Sequence, residues 1–347
     1  MKHEIYIQRC IQLAKNGLGT TGSNPMVGSV VVYNNLIIGE GWHYKSGQPH
    51  AEVNAINSVK NKALLEKATI YVSLEPCSHF GKTPPCSDLI IHWKIPKVVV
   101  GIIDPFLEVA GKGIEKLKKA GCDVIVGVLE KECLELNKRF FTFHTKKRPY
   151  IFLKWAETVD GFMAPAYAKG AKREPVWITD AYTKQLVHKQ RASEGAILVG
   201  TETVIKDNPA LNTRLWNGNN PLRVILDLKH RIPQESTIFT DGLSTLIISL
   251  VKKKNTNSIT YEVVRETENL AKEICAILYK HGILSLIVEG GKQTLETFIE
   301  ANLWDEAITY KGDQVFFEQG VKAPKLLKKG ITSKHKTQNT KITYRND

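Results

Sequence analysis

Between residues 50 and 86 the chain carries His50-Ala51-Glu52 and then Glu75-Pro76-Cys77-Ser78-His79-Phe80-Gly81-Lys82-Thr83-Pro84-Pro85-Cys86. One imidazole and two thiolates suit zinc, and a zinc ion with three protein ligands keeps its fourth tetrahedral position open to water. That open position separates a catalytic metal from a scaffolding one. Zinc lowers the pKa of a bound water to about 7, and Glu52, two residues from His50, is close enough to carry protons from that water to a leaving group. The expected ligands are His50, Cys77 and Cys86, the expected proton shuttle is Glu52, and the chemistry they imply is hydrolytic deamination. Zinc deaminases of nucleobases carry H-x-E followed by P-C-x-x-C. Here His50, Glu52, Pro76 and Cys77 fit, while the second cysteine arrives after eight residues instead of two. Eight residues containing Gly81 and Pro84-Pro85 must loop out and return the second thiolate, and such a loop is placed to touch substrate. The bland alternative is three unrelated core residues, since a lone His or free Cys usually packs. It requires H-x-E, P-C and a returning Cys to coincide by accident.

These side chains need rigid elements to hold them. Tyr6, Cys10, Leu13 and Ala14 share one face at helical spacing, with Gly17 placed to end that helix. Strands over 27–33 and 36–40 flank Asn34-Asn35, whose asparagines tolerate the positive φ of a two-residue hairpin. His50 sits at the start of a helix running through Ala55, Ile56 and Val59, where the first turn lets His50 and Glu52 both face a metal. A strand over 69–74 delivers Cys77, a helix over 87–93 leaves from Cys86, and a strand over 98–103 ends at Asp104-Pro105. A helix over 113–120, a strand over 123–128 and a helix over 130–143 complete an alternating pattern, that of a sheet covered on both faces. Thr145-Lys146-Lys147-Arg148-Pro149 then reads as a proline-closed charged link, which places one domain at 1–145 and a second at 150–347. The second half starts again with a strand over 150–155, a helix over 180–193 and strands over 196–200, 222–227 and 245–249. Leu284 to Val288 reads as a buried strand running into Glu289 and Gly290-Gly291 before a helix over 294–302. Amides at such a helix start favour an anion, but the pattern is not G-x-G-x-x-G and a purely structural glycine pair fits equally.

A chain of 347 residues suits two domains. No run of about 18 apolar residues is present, and Met1-Lys2-His3-Glu4-Ile5 does not lead into an apolar signal core. Cys10, Cys122, Cys133 and Cys275 are scattered singly, without disulfide spacing, so reduced thiols and a cytoplasmic setting are expected. The net charge of +13 is spread along the chain. Phosphorylated small molecules are therefore expected as partners rather than nucleic acid or membrane, and a homo-oligomer is the expected assembly.

Further motifs tie the halves together. The first half carries Ser23-Asn24-Pro25-Met26-Val27-Gly28 and Gly39-Glu40-Gly41-Trp42-His43 ahead of the zinc residues. The second carries Leu153-Lys154, Asp160-Gly161, Trp177-Ile178-Thr179, Arg191, Gly200-Thr201-Glu202-Thr203-Val204, Asp207-Asn208-Pro209-Ala210-Leu211 and Val288-Glu289-Gly290-Gly291. Across essentially its full length the chain resembles the bifunctional deaminase/reductase family of riboflavin biosynthesis, and the C-x8-C loop is the most specific mark. The resemblance implies an α/β protein: an N-terminal cytidine-deaminase-like α/β/α sandwich followed by a dihydrofolate-reductase-like α/β domain. It also implies deamination of diaminohydroxyphosphoribosylaminopyrimidine, then NADPH-dependent reduction of the ribosyl chain to ribityl. Carried over by position, Asn24, His43 and Lys82 would meet the deaminase substrate. Ala156, Trp177, Thr203, Asp207 and the segment from Gly291 would meet NADPH, and Lys154, Arg191, Leu211, Arg214 and Glu289 the reductase substrate. His79 is expected to touch loop or substrate rather than metal. Three departures stand out: Pro175 where the family usually has serine, a longer segment over 161–176, and Phe106 where asparagine is common. A nucleic-acid base deaminase with an accessory domain, or a deaminase whose second half only binds ligand, are the competing readings. The first wants a basic, aromatic-lined groove, and the second predicts loss of Gly290-Gly291.

Overall fold

Tyr6, Ile7, Cys10, Leu13 and Ala14 line the buried side of the first helix, α1 (Lys2–Ala14), and set the first layer of the fold. The computed structural model describes residues 2–80, 84–106, 110–167, 176–265, 268–327, 330–334 and 339–346. The chain divides into two units, Met1–Lys147 and Arg148–Asp347.

In the first unit α1 is followed by β1 (Gly28–Tyr33), β2 (Leu36–Trp42), α2 (Ala51–Ser58), β3 (Thr69–Val72), α3 (Cys86–His92), β4 (Lys97–Val100), α4 (Lys112–Lys119), β5 (Asp123–Val126), α5 (Glu130–Leu136) and α6 (Lys138–Lys146). The sheet order is β2-β1-β3-β4-β5, antiparallel around β1 and parallel from β3 to β5. Strand alternation sorts the core: Val30 and Val32 pack with α1, Cys133 and Leu136 on one face, while Val31 packs with Ala55, Ile56, Ile90 and Leu117 on the other. Helices therefore cover both sides. Asn34 and Asn35 turn the hairpin with φ of 47° and 65°, as their short polar side chains allow. At Gly28 the reason for glycine is contact, because a Cβ there would lie 2.0 Å from the Cys10 carbonyl oxygen of α1.

One expectation is corrected. The single helix over 130–143 is two helices, broken at Asn137, which has φ −107° and ψ 23°. The Asn137 side chain accepts from Met26 N–H and donates to Met26 O, both at 2.8 Å. Two buried hydrogen bonds to a strand-leading loop outweigh the continuity of one helix.

The second unit runs β6 (Tyr150–Glu157), β7 (Phe162–Pro165), α7 (Ala181–Ser193), β8 (Ala196–Gly200), α8 (Thr201–Asp207), β9 (Leu222–Leu226), α9 (Thr237–Thr240), β10 (Thr245–Ser249), β11 (Ile259–Val263), α10 (Leu270–Lys280), β12 (Ser285–Val288), α11 (Lys292–Glu300), β13 (Glu306–Lys311), β14 (Gly320–Lys322), β15 (Ile331–Lys334) and β16 (Thr340–Arg345). Nine strands form one sheet in the order β11-β10-β9-β8-β12-β6-β13-β16-β15, parallel as far as β13 and antiparallel beyond it, and β7 pairs with β14 separately. Ile274, Leu278, Leu295 and Phe298 of α10 and α11 fill one face; Val204 and Ile238 of α8 and α9, with Val187 of α7, pack on the other. Asp305 ties down the start of β6, accepting from both terminal nitrogens of Arg148 at 2.6 and 2.8 Å and from Ile151 N–H at 2.8 Å. Sequence reading named no strand beyond 302. β13 and β16 mix Thr, Lys, Glu and Arg with a few apolar residues, a pattern too polar to stand out. Among the described residues no helix is long and apolar enough to cross a membrane.

Candidate active sites

His50 is the N-cap of α2, in extended backbone at φ −71° and ψ 166°, and Glu52 lies in the first turn of that helix. Cys77 follows β3, and Cys86 opens α3, where its N–H donates to Cys77 Sγ at 3.3 Å. Nδ1 of His50 lies 3.6 Å from Cys77 Sγ and 3.3 Å from Cys86 Sγ. All three ligand atoms fall within 4.8 Å of one another, and among the described residues this is the only such group of His, Cys, Asp or Glu. Metal bonds of about 2.0 to 2.3 Å need ligand atoms this close, so the donor set fits tetrahedral zinc with one position to spare.

The electrostatics prepare one of the two thiolates, because the hydrogen bond to Cys77, then burial, pushes the Cys86 thiol well up. The Cys86 hydrogen bond, followed by His50, holds the Cys77 thiol down at about 4, in the thiolate form that ligates metal. The Cys77 hydrogen bond pushes His50 up to about 8, so the imidazole must shed a proton to ligate. Glu52 is 3% exposed, and burial, then the Cys77 charge, raises its carboxyl to about 7. A carboxyl near neutrality both takes and gives a proton.

His50, Glu52 and Cys77 open onto a cavity of about 540 Å³. Asn24 and His43 line it, with Asn24 Nδ2 3.1 Å from His43 Nε2 and the other ring nitrogen 3.2 Å from the Pro49 carbonyl. Burial lowers the His43 pKa, which favours the neutral ring. His79 lines the cavity outside the ligand cluster. Lys82 lies outside the described residues, as does Pro175. Phe106 is on the wall, its ring 5.2 Å from that of His144.

Phe140, Phe143 and His144 also line the cavity; the sequence places Phe140 and Phe143 in the helix over 130–143 and gives none of the three a role in the site. Their only signal is an aromatic density in Phe140-Phe141-Thr142-Phe143-His144 beyond what one core stripe needs. Glu75 supports the site from behind: Oε2 accepts from Gly111 N–H and Oε1 from Gly113 N–H, both at 2.9 Å, pinning the start of α4 to the Cys77 loop. Burial raises neighbouring Asp104 to about 6.

In the second unit Lys154, Arg191 and Glu289 come together. Leu153 of β6 pairs with Val288 of β12, so the next residues, Lys154 and Glu289, are neighbours. Arg191 of α7 meets Glu289 with two hydrogen bonds, at 2.6 and 3.2 Å, and donates to Asn212 O at 3.2 Å. Burial alone would raise the Glu289 pKa, but Arg191 and then Lys154 hold it at about 2. Burial lowers that of Lys154.

Gly291 is the N-cap of α11, and a Cβ there would come 3.4 Å from Thr203 Oγ1 of α8. The two helix starts are thus adjacent, at the carboxyl ends of parallel strands where α/β sheets take ligands. Gly290 has a packing reason, since a Cβ would fall 2.7 Å from Val199. Asp207 ends α8, and Leu211 is buried with φ at 53°, a strained value for leucine. Arg214 is exposed and donates to Asn212 Oδ1 at 3.2 Å. Trp177 is 59% exposed with Lys184 Nζ 3.4 Å from its ring centre, and Ala156 is half-buried opposite Tyr310.

Comparison with known proteins finds a different family match in each half. The family described as cytidine and deoxycytidylate deaminase zinc-binding region matches residues 1–102, and that described as RibD C-terminal domain matches 149–314. The riboflavin biosynthesis protein RibD of Aquifex aeolicus is 40% identical over 319 residues, covering 90% of this chain and 87% of its own. That of Bacillus amyloliquefaciens is 39% identical, covering 88% and 83%. A Thermotoga maritima structure described as diaminohydroxyphosphoribosylaminopyrimidine deaminase/5-amino-6-(5-phosphoribosylamino)uracil reductase superposes with a TM-score of 0.87 at 36% identity, over 99% of this chain and 98% of that one. Acinetobacter baumannii RibD gives 0.86 at 31% identity, over 99% and 98%. A cytidine-deaminase-like sandwich followed by a dihydrofolate-reductase-like domain is the fold class.

Proposed function

The chain belongs to the RibD family of riboflavin biosynthesis proteins, and from that premise we propose how its residues divide the work. It is a bifunctional enzyme, a zinc-dependent deaminase joined to an NADPH-dependent reductase. The deaminase is residues 1–145 and the reductase 150–347. The substrates are those named for the Thermotoga protein: the diaminopyrimidine ribosyl phosphate is deaminated, and the ribosyl chain of the resulting uracil is then reduced to ribityl.

In the deaminase, His50, Cys77 and Cys86 hold zinc, which supplies the Lewis acidity that makes a water nucleophilic at neutral pH. Glu52 takes a proton from the attacking water and gives one to the departing amine, which leaves as ammonia. Its position near neutrality suits both transfers. Asn24, His43 and Lys82 orient the pyrimidine. His43, paired at both ring nitrogens, holds Asn24, whose amide suits a heterocycle edge better than a phosphate.

In the reductase, NADPH supplies the hydride. Ala156, Trp177, Thr203, Asp207 and Gly291 bind it, and Lys154, Arg191, Leu211, Arg214 and Glu289 bind the sugar phosphate. Glu289, kept ionised by Arg191 and Lys154, accepts from sugar hydroxyls, while arginine suits phosphate through its planar fork. Reduced zinc thiolates and NADPH support a cytoplasmic setting. The partners are phosphorylated pyrimidines and not nucleic acid, and the assembly is a homo-oligomer, to be read by sedimentation.

The observation that carries this reading is the convergence of His50 Nδ1 and two thiol sulfurs within 4.8 Å beside buried Glu52. Purified protein should contain one zinc per chain, release ammonia from the diaminopyrimidine and then oxidise NADPH. Active protein without zinc would overturn the ligand assignment.

A further inference from the structure

The deaminase substrate proposed above has two ends, and the residues assigned to it serve the heterocycle. The ribosyl phosphate hangs from a different ring carbon than the departing amine and extends away from the zinc ligands. The cavity that holds His50, Glu52 and Cys77 has a further wall, made by Phe106 after β4 and by Phe140, Phe143 and His144 of α6. His144 is half-buried, and its ring centre stands 4.3 Å from that of Phe140, 5.2 Å from Phe106 and 5.3 Å from Phe143, tilted or edge-on to each. Contacts of that kind on several sides fix the plane of the imidazole. Asp104 in turn holds Phe106, accepting from its N–H at 2.9 Å. Among the described residues neither ring nitrogen of His144 has a hydrogen-bond partner, and within this wall His144 alone carries polar side-chain atoms.

We propose that His144 is a further substrate-binding residue of the deaminase, its imidazole hydrogen-bonding a ribose hydroxyl of the substrate while the phenylalanine rings beside it take the C–H face of the sugar. The proposal rests on the diaminopyrimidine ribosyl phosphate being the substrate. A phosphate is ill served by this wall. Glu52, Glu75 and Asp104 put carboxyl groups on the cavity, and no Lys or Arg lines it among the described residues. His144 also lies in the last turn of α6, at the negative end of the helix dipole. A hydroxyl both donates and accepts, and so does a neutral imidazole. Burial, then Lys147, lowers the His144 pKa, which favours that neutral ring.

The test follows ammonia release by full-length zinc-loaded protein from the substrate and from its 2′-deoxy and 3′-deoxy analogues. In the parent, at least one analogue should raise KM about tenfold, near 1.4 kcal/mol. No rise with either analogue overturns the proposal before any variant is made. His144→Phe keeps the ring contacts and removes both nitrogens. It should raise KM for the full substrate about tenfold with kcat within about twofold, as when binding alone is lost. In that variant the sensitive analogue should be no worse than the full substrate, because both sides of one hydrogen bond have gone. An unchanged KM in H144F, or an analogue penalty that persists there at full size, overturns the proposal and leaves His144 as packing. Zinc content and NADPH oxidation with the already deaminated intermediate should match the parent, which checks that H144F is folded. If it loses zinc, His144→Leu takes its place in the same cycle. The parent's own turnover separates the two possible failures: no ammonia from the diaminopyrimidine ribosyl phosphate sinks the function proposed above, whereas release indifferent to both hydroxyls and to His144 sinks this inference alone.

Discussion

The proposed zinc ligands lie between residues 50 and 86 on consecutive elements, whereas Lys154, Arg191 and Glu289 are scattered through the second unit and meet only because β6 and β12 are neighbours in the sheet and the Arg191 side chain of α7 reaches Glu289. The first site is specified by local spacing and ligand identity, the second by topology. They should also fail differently. A metal site loses its chemistry when one donor atom is lost, while a constellation that binds by several charges weakens by degrees.

Cys77→Ala puts that contrast to its hardest test. Deamination should fall to background, and zinc should be lost, while the variant still oxidises NADPH when supplied with the already deaminated intermediate. A chelator should act the same way on the parent protein. Loss of both activities, with the fold intact by circular dichroism, would show that the two sites are coupled. Glu52→Gln should be milder, keeping zinc while lowering deamination by about 10² to 10⁴, the usual worth of a positioned proton carrier. Ammonia release at the parent rate would remove Glu52 from the mechanism.

Arg214→Ala tests the other side. Arg214 is exposed and holds only the Asn212 amide among its described contacts, so the fold does not depend on it. KM for the reductase substrate should rise about tenfold with ammonia release unchanged. An unchanged KM would detach Arg214 from the substrate. The smallest effect is on acid stability. Glu289 is held from its ordinary 4.5 down to about 2, so its pairing stabilises the folded state above pH 4.5 and is lost as pH falls through about 2. Glu289→Gln should flatten that fall, measured as Tm between pH 5 and 2 at fixed salt. An identical slope in both proteins would mean that the carboxylate is not paired in solution.

How far each site could be read in advance follows the same division. Cys77 and Cys86 announce themselves because a strand end and a helix start bracket a loop of unusual length. The zinc chemistry was therefore legible from the residues themselves. The hairpin at Asn34-Asn35 was legible for a similar reason, since local φ preference decides it. Asn137 was not: its side chain answers Met26, far away in sequence, and nothing nearby reveals why an amphipathic run should break. The aromatic wall was hidden likewise, because which face of α6 meets the cavity depends on how that helix docks. In the reductase, the neighbourhood of Lys154 and Glu289 follows from a strand order that no window of sequence contains, and there only resemblance to a known family supplied the residues.

The wall formed by Phe140, Phe143 and His144 also bears on how the protein is made. Ribosomes deliver a chain from its N-terminus at roughly 5–20 residues per second. His50, Cys77 and Cys86 have all left the peptidyl-transferase centre several seconds before His144 does. During synthesis the candidate metal donors are thus all made while the cavity still lacks one side, so the donor set does not depend on the residues that complete the pocket.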